Sequence, residues 1–240
     1  MNVMRIRSLA FVITLLLVSA VPALAETGSW NAGIEGGPAW GLGSEALENY
    51  INYNNEDLSW VYGGDISYRF PNGFAIGLGA KNFHVNVTKT NLDFPFDPTG
   101  TGLVARVDMT PVMVLFKWQG MPKGGTGLTA HVGGGVGISF NTIKGGEFLT
   151  HLRTVAGFPA GTAADKLKVD DTFVLQGNAG LDYFFSKHFS TNLDGNIMYV
   201  PEMKSTGWNG VNAYYAGTPE QMHIKATTFQ LMLGMRYWFK

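Results

Sequence analysis

Hydrophobic and polar residues alternate with a period of two along several stretches of this chain. Between residues 60 and 70 the even positions are mainly aromatic or aliphatic, whereas the odd positions from 63 onward carry Gly63, Asp65, Ser67 and Arg69. Residues 189–200 and 224–239 repeat the pattern, with Met232 and Trp238 as apolar exceptions on an otherwise polar face. A period of two predicts β-strands with two different faces.

Eight stretches of this kind predict the fold. They span residues 28–40, 60–70, 74–87, 103–118, 128–140, 172–185, 189–200 and 224–239. Each combines an almost uncharged, lipid-like face with a polar or glycine-rich face, and aromatic residues cluster near the strand ends. A soluble barrel would need a charged exterior, whereas a closed barrel in lipid satisfies every backbone group within its own wall. We therefore expect an all-β protein, an eight-stranded antiparallel transmembrane β-barrel of up-and-down topology.

The connections between these stretches alternate in length. Short turns lie at residues 71–73, 119–127 and 186–188, and long connections at 41–59, 88–102, 141–171 and 201–223. Outer-membrane barrels have short periplasmic turns and long extracellular loops. This predicts a protein of the cell outer membrane with extracellular loops, both termini in the periplasm, and outer-membrane lipids as partners.

Two stretches have a less regular pattern. In the third, the apolar phase changes near Asn82, since Phe74, Ile76 and Leu78 give way to Phe83, Val85 and Val87, and we expect a β-bulge there. The fourth is apolar on both faces from Val112 to Phe116, so its facing stays open.

The N-terminus has the features of a secretory signal. Arg5 and Arg7 precede an apolar run from Leu9 to Val18, and Ala23-Leu24-Ala25 fits the small-x-small cleavage pattern. The expected organisation is a signal peptide at 1–25 and one outer-membrane barrel domain at 26–240.

Composition narrows the function classes. The formal net charge is −1 and no basic block occurs, which gives no electrostatic reason to expect a nucleic-acid partner. His84, His151, His188 and His223 are scattered without metal-ligand spacing. The glycine run at 133–137 lies inside a predicted strand, not in a loop opening a helix as a phosphate cradle requires. No metal and no cofactor are therefore expected.

Parts of the chain resemble a known family. The C-terminal strand, which ends at Phe239 before Lys240, resembles the signal that the outer-membrane assembly machinery recognises. Within the barrel class the chain resembles the OmpW family of eight-stranded outer-membrane proteins, through Met109-Thr110-Pro111, Lys117-Trp118, residues 131–137, Asp170-Asp171-Thr172-Phe173, residues 176–183 and Met198-Tyr199. The resemblance implies a narrow barrel with a partly apolar lumen that admits small hydrophobic molecules from outside and releases them through its wall into the membrane.

Ionisable residues on the polar faces form the first candidate site. They are Asp65, Arg69, Arg106, Asp108, Asp182, Asp194 and Arg236. Because a narrow lumen cannot hold unpaired charges, we expect Asp65, Arg69, Asp182 and Arg236 to form a paired cluster near the periplasmic end. The expected role is structural, a plug against leakage.

The remaining candidates separate three functions. The leading hypothesis is a barrel that binds or conducts small hydrophobic compounds, with Met198, Met232 and Trp238 as lumen ligand-binding candidates. The alternatives are a closed structural or surface-interaction barrel and, less favoured, a lipid-modifying hydrolase. His131 and Ser139 lie eight strand residues apart, more than about 25 Å, so they cannot form a catalytic dyad, and we expect no enzyme activity and no catalytic residues.

Overall fold

A computed structural model describes residues 28–42, 53–54, 59–89, 103–122, 124–145, 167–207, 221–224 and 226–239. The expected signal peptide lies outside the described residues. The strands are β1 (Ser29–Gly41), β2 (Tyr53–Asn54), β3 (Ser59–Arg69), β4 (Phe74–Lys89), β5 (Leu103–Gln119), β6 (Gly127–Gly145), β7 (Lys168–Val169), β8 (Thr172–Phe184), β9 (Phe189–Tyr199), β10 (Met203–Thr206), β11 (Gln221–Ile224) and β12 (Thr228–Phe239).

The eight long strands close into a barrel, as the sequence pattern predicted. Each pairs antiparallel with its sequence neighbour among the long strands. The first and last also pair, with Trp30 opposite Phe239. The short strand β2 extends the sheet beside β4, while β7, β10 and β11 form a separate three-stranded sheet. None of the described segments is a helix long and apolar enough to cross a membrane.

The two ends of the barrel differ. At one, the turn end, β3 and β4 meet in a tight turn where Gly73 donates to the Phe70 carbonyl at 3.0 Å. Residues 185–188 join β8 and β9 at the same end, with Ser186 donating to the Phe189 carbonyl at 3.3 Å. The opposite end, the loop end, carries the three-stranded sheet.

Alternate residues of each strand face the lumen or the outside. On β12, Met232 is fully buried whereas Leu233 is 64% exposed. Many large apolar and aromatic side chains are exposed on the outer face, as a wall in contact with lipid requires.

Three sequence expectations about facing need correction or completion. The ladder between β4 and β5 keeps one register on both sides of Asn82, so the expected bulge there is wrong, and the only register shift lies at Val87 and Thr88. Phe83 is therefore buried inside the barrel. On β5 the odd-numbered residues face inward, which settles the open facing of this strand. Arg106 and Asp108 consequently lie on the outside, not in the lumen.

The ladder is interrupted at two prolines. The pairing of β1 with β12 omits Gly37 and Pro38, and the pairing of β4 with β5 omits residues 81–82 and 110–111. Proline has no N–H to donate to a neighbouring strand. A side-chain hydrogen bond from Asn82 to Thr110, at 3.0 Å, spans the second interruption.

Candidate functional site

The candidate site is the lumen, which changes character along the barrel axis. At the turn end, Trp238 is fully buried, and its ring lies 5.3 Å from that of Phe184. The indole Nε1 donates to Ser190 Oγ at 3.0 Å. These aromatic rings form the base of the lumen.

A fork-shaped ion pair lies above this base. The two terminal nitrogens of Arg236 donate to the two carboxylate oxygens of Asp65 at 2.7 and 2.8 Å. Arg236 also donates to the side-chain oxygen Oδ1 of Asn31. The same oxygen accepts a second hydrogen bond from Ser67 Oγ, at 2.9 Å. A Cβ at Gly33 would lie 3.2 Å from the guanidinium carbon, so the missing side chain makes room for the fork.

A histidine bridges two buried carboxylates at a similar depth. His131 Nδ1 lies 2.6 Å from Asp182 Oδ2, and its Nε2 contacts Asp194 Oδ1. Strand register aligns His131, Gly180 and Asp194 in one row, and a Cβ at Gly180 would meet both His131 Nε2 and Asp194 Oδ1 at 2.8 Å. A histidine that donates from both ring nitrogens is the charged imidazolium form.

A third ion pair and a free ammonium complete this layer. Lys81 Nζ lies 3.1 Å from Glu35 Oε1 and 3.4 Å from Gln230 Oε1. Lys117 has no hydrogen-bond partner among the described residues and lines a cavity of about 30 Å³, room for about two water molecules. We call the layer the ionic floor: Glu35, Asp65, Lys81, Lys117, His131, Asp182, Asp194 and Arg236. With His131 protonated, four cations in it face four carboxylates.

Towards the loop end the lumen becomes apolar. The apolar cluster comprises Ala39, Val61, Phe83, Val85, Ala105, Val107, Met109, Met113, Ile143, Val174, Met198, Val200, Met203, Ile224, Ala226 and Met232. Phe83, Met109, Met113, Met198 and Met232 are each at most 1% exposed. Their side chains are thus screened from solvent, and together they form an apolar core within the described part of the barrel.

The three-stranded sheet covers this cluster. Met203 of β10 and Ile224 of β11 belong to the cluster, and Val169 of β7 packs against it. Asn141 of β6 holds the cover to the barrel, because its Nδ2 donates to the Asp170 carbonyl at 2.9 Å and lies 3.2 Å from Met203 Sδ. The apolar segment is thus bounded by the ionic floor below and by this sheet above.

The structure brings some predicted site residues together and separates others. Asp65 and Arg236 are in direct contact, whereas Asp182 pairs with His131 and accepts from Gln119 Nε2 at 2.8 Å. Arg69 donates to the Gln119 backbone carbonyl at 3.1 and 3.2 Å and pairs with no carboxylate among the described residues.

The three lumen ligand candidates do not form one group. Met198 and Met232 both belong to the apolar cluster, while Trp238 lies at the base beyond the ionic floor. Sequence reasoning missed the pairings of Lys81 with Glu35 and of His131 with Asp194. The alternation along β6 places His131 on the inward face of its strand, and this was the signal in the sequence. Which residue His131 contacts depends on the register of three strands, β6, β8 and β9.

The surroundings of His131 determine whether it could activate a serine for hydrolysis. Both ring nitrogens are occupied by carboxylates, and Ser139 donates instead to Asn141 Oδ1 at 2.6 Å. Within the described ranges, no group of three or more His, Asp or Glu side chains is arranged to hold a metal ion. No described serine is therefore placed for His131 to activate.

Known proteins were compared with the chain. No family model and no curated protein matches it. The crystal structure of the outer membrane protein OprG from Pseudomonas aeruginosa is similar over 87% of this chain and 95% of its own, with 19% identity and a TM-score of 0.56. That of Neisserial surface protein A (NspA) is similar over 89% and 100%, with 8% identity and a TM-score of 0.51.

These likenesses concern the fold. Both neighbours span nearly the whole barrel at low identity, so nothing about a ligand follows from them. The chain is a closed eight-stranded antiparallel barrel of the kind found in outer-membrane proteins, and the OmpW and OprG type of barrel, which the sequence resembles, fits this fold.

Proposed function

We propose that this protein lies in the outer membrane and takes small hydrophobic molecules from outside into its apolar cluster, from which they pass sideways into the membrane. The proposal places the turn end in the periplasm and the loop end outside, and it has β12 recognised by the assembly machinery through its terminal Phe239. One observation carries it: the lumen is apolar in its outer half and ionic below.

The apolar cluster has the chemistry to receive such molecules. Its interior contains Met109, Met113, Met198, Met203 and Met232. Methionine is unbranched and flexible, and it repacks around irregular apolar shapes. An incoming apolar molecule would displace these side chains at little polar cost. The amides of Asn141 and Gln230, which contact Met203 Sδ and Met198 Sδ, each keep an oxygen acceptor as well.

The ionic floor directs the molecule away from the periplasm. Passage straight through would separate buried pairs such as Asp65 with Arg236, and a buried charge left without its partner is strongly unfavourable. An apolar molecule offers these groups no replacement hydrogen bonds. It therefore has to leave above the floor.

The interruption between β1 and β12 offers an exit. Gly37 and Pro38 lack paired partners on β12, at the level of Ala39 and Met232 in the cluster. On the outer wall just below, a groove of about 550 Å³ is lined by Ile34, Tyr62, Leu233 and Met235. We call the boundary between β1 and β12 the seam. A molecule passing through the seam at this interruption would reach an apolar surface in contact with lipid.

A reversible staple across the seam tests the proposal. The chain has no cysteine, so Pro38→Cys with Leu231→Cys introduces one disulfide across the interruption. We expect oxidation to lower the initial rate of naphthalene uptake by intact cells and reduction to restore it. Ala32→Cys with Tyr237→Cys is the matched control, because this pair joins the same strands where the ladder is regular and neither residue lines the groove.

Two outcomes would contradict the proposal. If Arg236→Ala, which opens the floor, raised uptake several-fold while the oxidised seam had no effect, the compound would be crossing through the floor. Uptake no faster than in cells lacking the protein would instead favour the second candidate, a closed structural or surface-interaction barrel. The near-complete burial of the side chains in the apolar cluster is the observation that favours this alternative.

A further inference from the structure

A charged group lies on the outer wall, where β5 and β6 rise towards the loop end. Arg106 and Lys144 occupy directly paired positions on these strands. Asp108 joins them, since its Oδ1 accepts from Arg106 Nε at 2.7 Å and its Oδ2 accepts from Lys144 Nζ at 2.9 Å. The three side chains, which we call the outer triad, carry a net charge of +1.

The height of the outer triad follows from the strand below it. Outward positions of β5 descend from Thr110 through Val112, Val114 and Phe116 to Trp118, without a charge. From Trp118 to Asp108 is ten residues, which at about 3.3 Å each and a tilt of about 40° gives a height of about 25 Å. This equals the apolar band of an outer-membrane barrel, so the outer triad lies at its upper edge.

The opposite wall has a different surface at its loop end. There the outward side chains are aromatic, among them Trp40, Trp60 and Phe229. On the triad's side the neighbouring positions of β4 are His84 and Asn86, which pair with Asp108 and Arg106. The polar surface at this height thus spans β4, β5 and β6, on the side of the barrel that does not carry these aromatic residues.

Hydrogen-bonding capacity remains on both cations. Asp108 engages Arg106 through Nε, and neither terminal nitrogen of Arg106 has a partner within the part of the chain that the structure describes. The side chain of Lys144 is 73% exposed and that of Arg106 is 48% exposed, so each can donate to a further anion. Asp108 binds one cation through each of its carboxylate oxygens, so the two cations lie side by side on the outer wall.

We propose that the outer triad binds the phosphate group of an outer-leaflet lipid, with lipid A as the occupant. This site rests on the outward orientation of the loop end stated under the proposed function, but not on the uptake of any apolar compound. Arg106 and Lys144 donate to the phosphate oxygens, and Val112 and Val114 below them contact the acyl chains. Bound lipid would fix the height and rotation of the barrel in the membrane.

Native mass spectrometry of the purified barrel in detergent tests the site. The probes are bisphosphorylated lipid A and the same lipid after enzymatic removal of both phosphates. We expect wild-type protein to retain the phosphorylated form preferentially, with Arg106→Gln and Lys144→Gln each weakening it about fivefold and the double variant about thirty-fold. Lys187→Gln, which removes an exposed lysine at the turn end, is the matched control and should leave retention unchanged.

The outcomes separate the possible sources of binding. Equal retention of both lipid forms, or no loss in the double variant, would overturn the proposal. Full displacement by millimolar inorganic phosphate would show a general anion site and would also overturn it. The heat-dependent shift in gel mobility reports folding independently, and Lys144→Gln is expected to keep it because that side chain is largely exposed.

Discussion

The ionic floor and the apolar cluster fill the same narrow lumen by opposite means. In the floor, each group is held by specific partners, as Arg236 is by Asp65 and His131 by two carboxylates. In the cluster, side chains such as Met113 and Met232 are held by contact and volume alone. A paired charge tolerates no substitute for its partner, whereas a methionine-rich core tolerates changes of shape. The floor is therefore a fixed barrier, and the cluster is the part that can deform.

The largest expected effect comes from breaking the floor. Arg236→Ala leaves Asp65 buried without its fork-shaped partner and should lower the free energy of unfolding by about 3–5 kcal/mol. Urea unfolding in lipid vesicles, followed by tryptophan fluorescence, measures this. Conductance of small ions in planar bilayers should rise for the same variant. A loss below about 1 kcal/mol would show that the pair is solvated and that the floor is not a barrier.

In the cluster, shape should matter less than volume. Met232→Ala removes a fully buried side chain and should cost about 2–5 kcal/mol in the same unfolding assay. Met232→Leu preserves most of the volume and should cost less than about 1.5 kcal/mol. If the leucine variant lost as much free energy of unfolding as the alanine variant, the cluster would tolerate changes of shape no better than the floor tolerates the loss of a partner. The contrast between the two regions would then disappear.

The smallest effect is expected at the base. Trp238→Phe keeps a large ring beside Phe184 but removes the donor to Ser190, a single neutral hydrogen bond. The expected loss is about 1 kcal/mol by urea unfolding. Ser190→Ala in the Trp238→Phe background serves as the control and should add little, because it removes the remaining partner of the same bond. A further loss as large as the first would show that Ser190 has a separate role.

The sequence predicts the facing of the side chains well at the turn end of the barrel and poorly at the loop end. Strand number and closure followed from the period of two, because the wall faces lipid and the lower lumen is polar. Near the loop end the rule inverts: Phe83 and Val107 face inward while Arg106 and Asp108 face outward. The inverted phase of β4 was therefore misread as a bulge near Asn82.

The ionic floor was only partly predictable for a different reason. The period of two predicted the inward facing of Asp65, Asp182 and Arg236, but their partners across the lumen depend on the stagger of all eight strands. Gly180 illustrates this, since only its place between His131 and Asp194 lets these side chains meet. No pattern within a single strand contains that information.

The pairing of β1 with β12 also bears on how the chain assembles. This seam joins the first and last strands of the barrel, so it has the greatest sequence separation of any pairing in the wall. Contacts between residues far apart in sequence form slowly, because the intervening chain must be ordered first. We therefore expect the seam to be the last part of the wall to form during folding. Since Pro38 already leaves it short of a hydrogen-bond donor, the final closure joins the wall at a line that is also among its weakest.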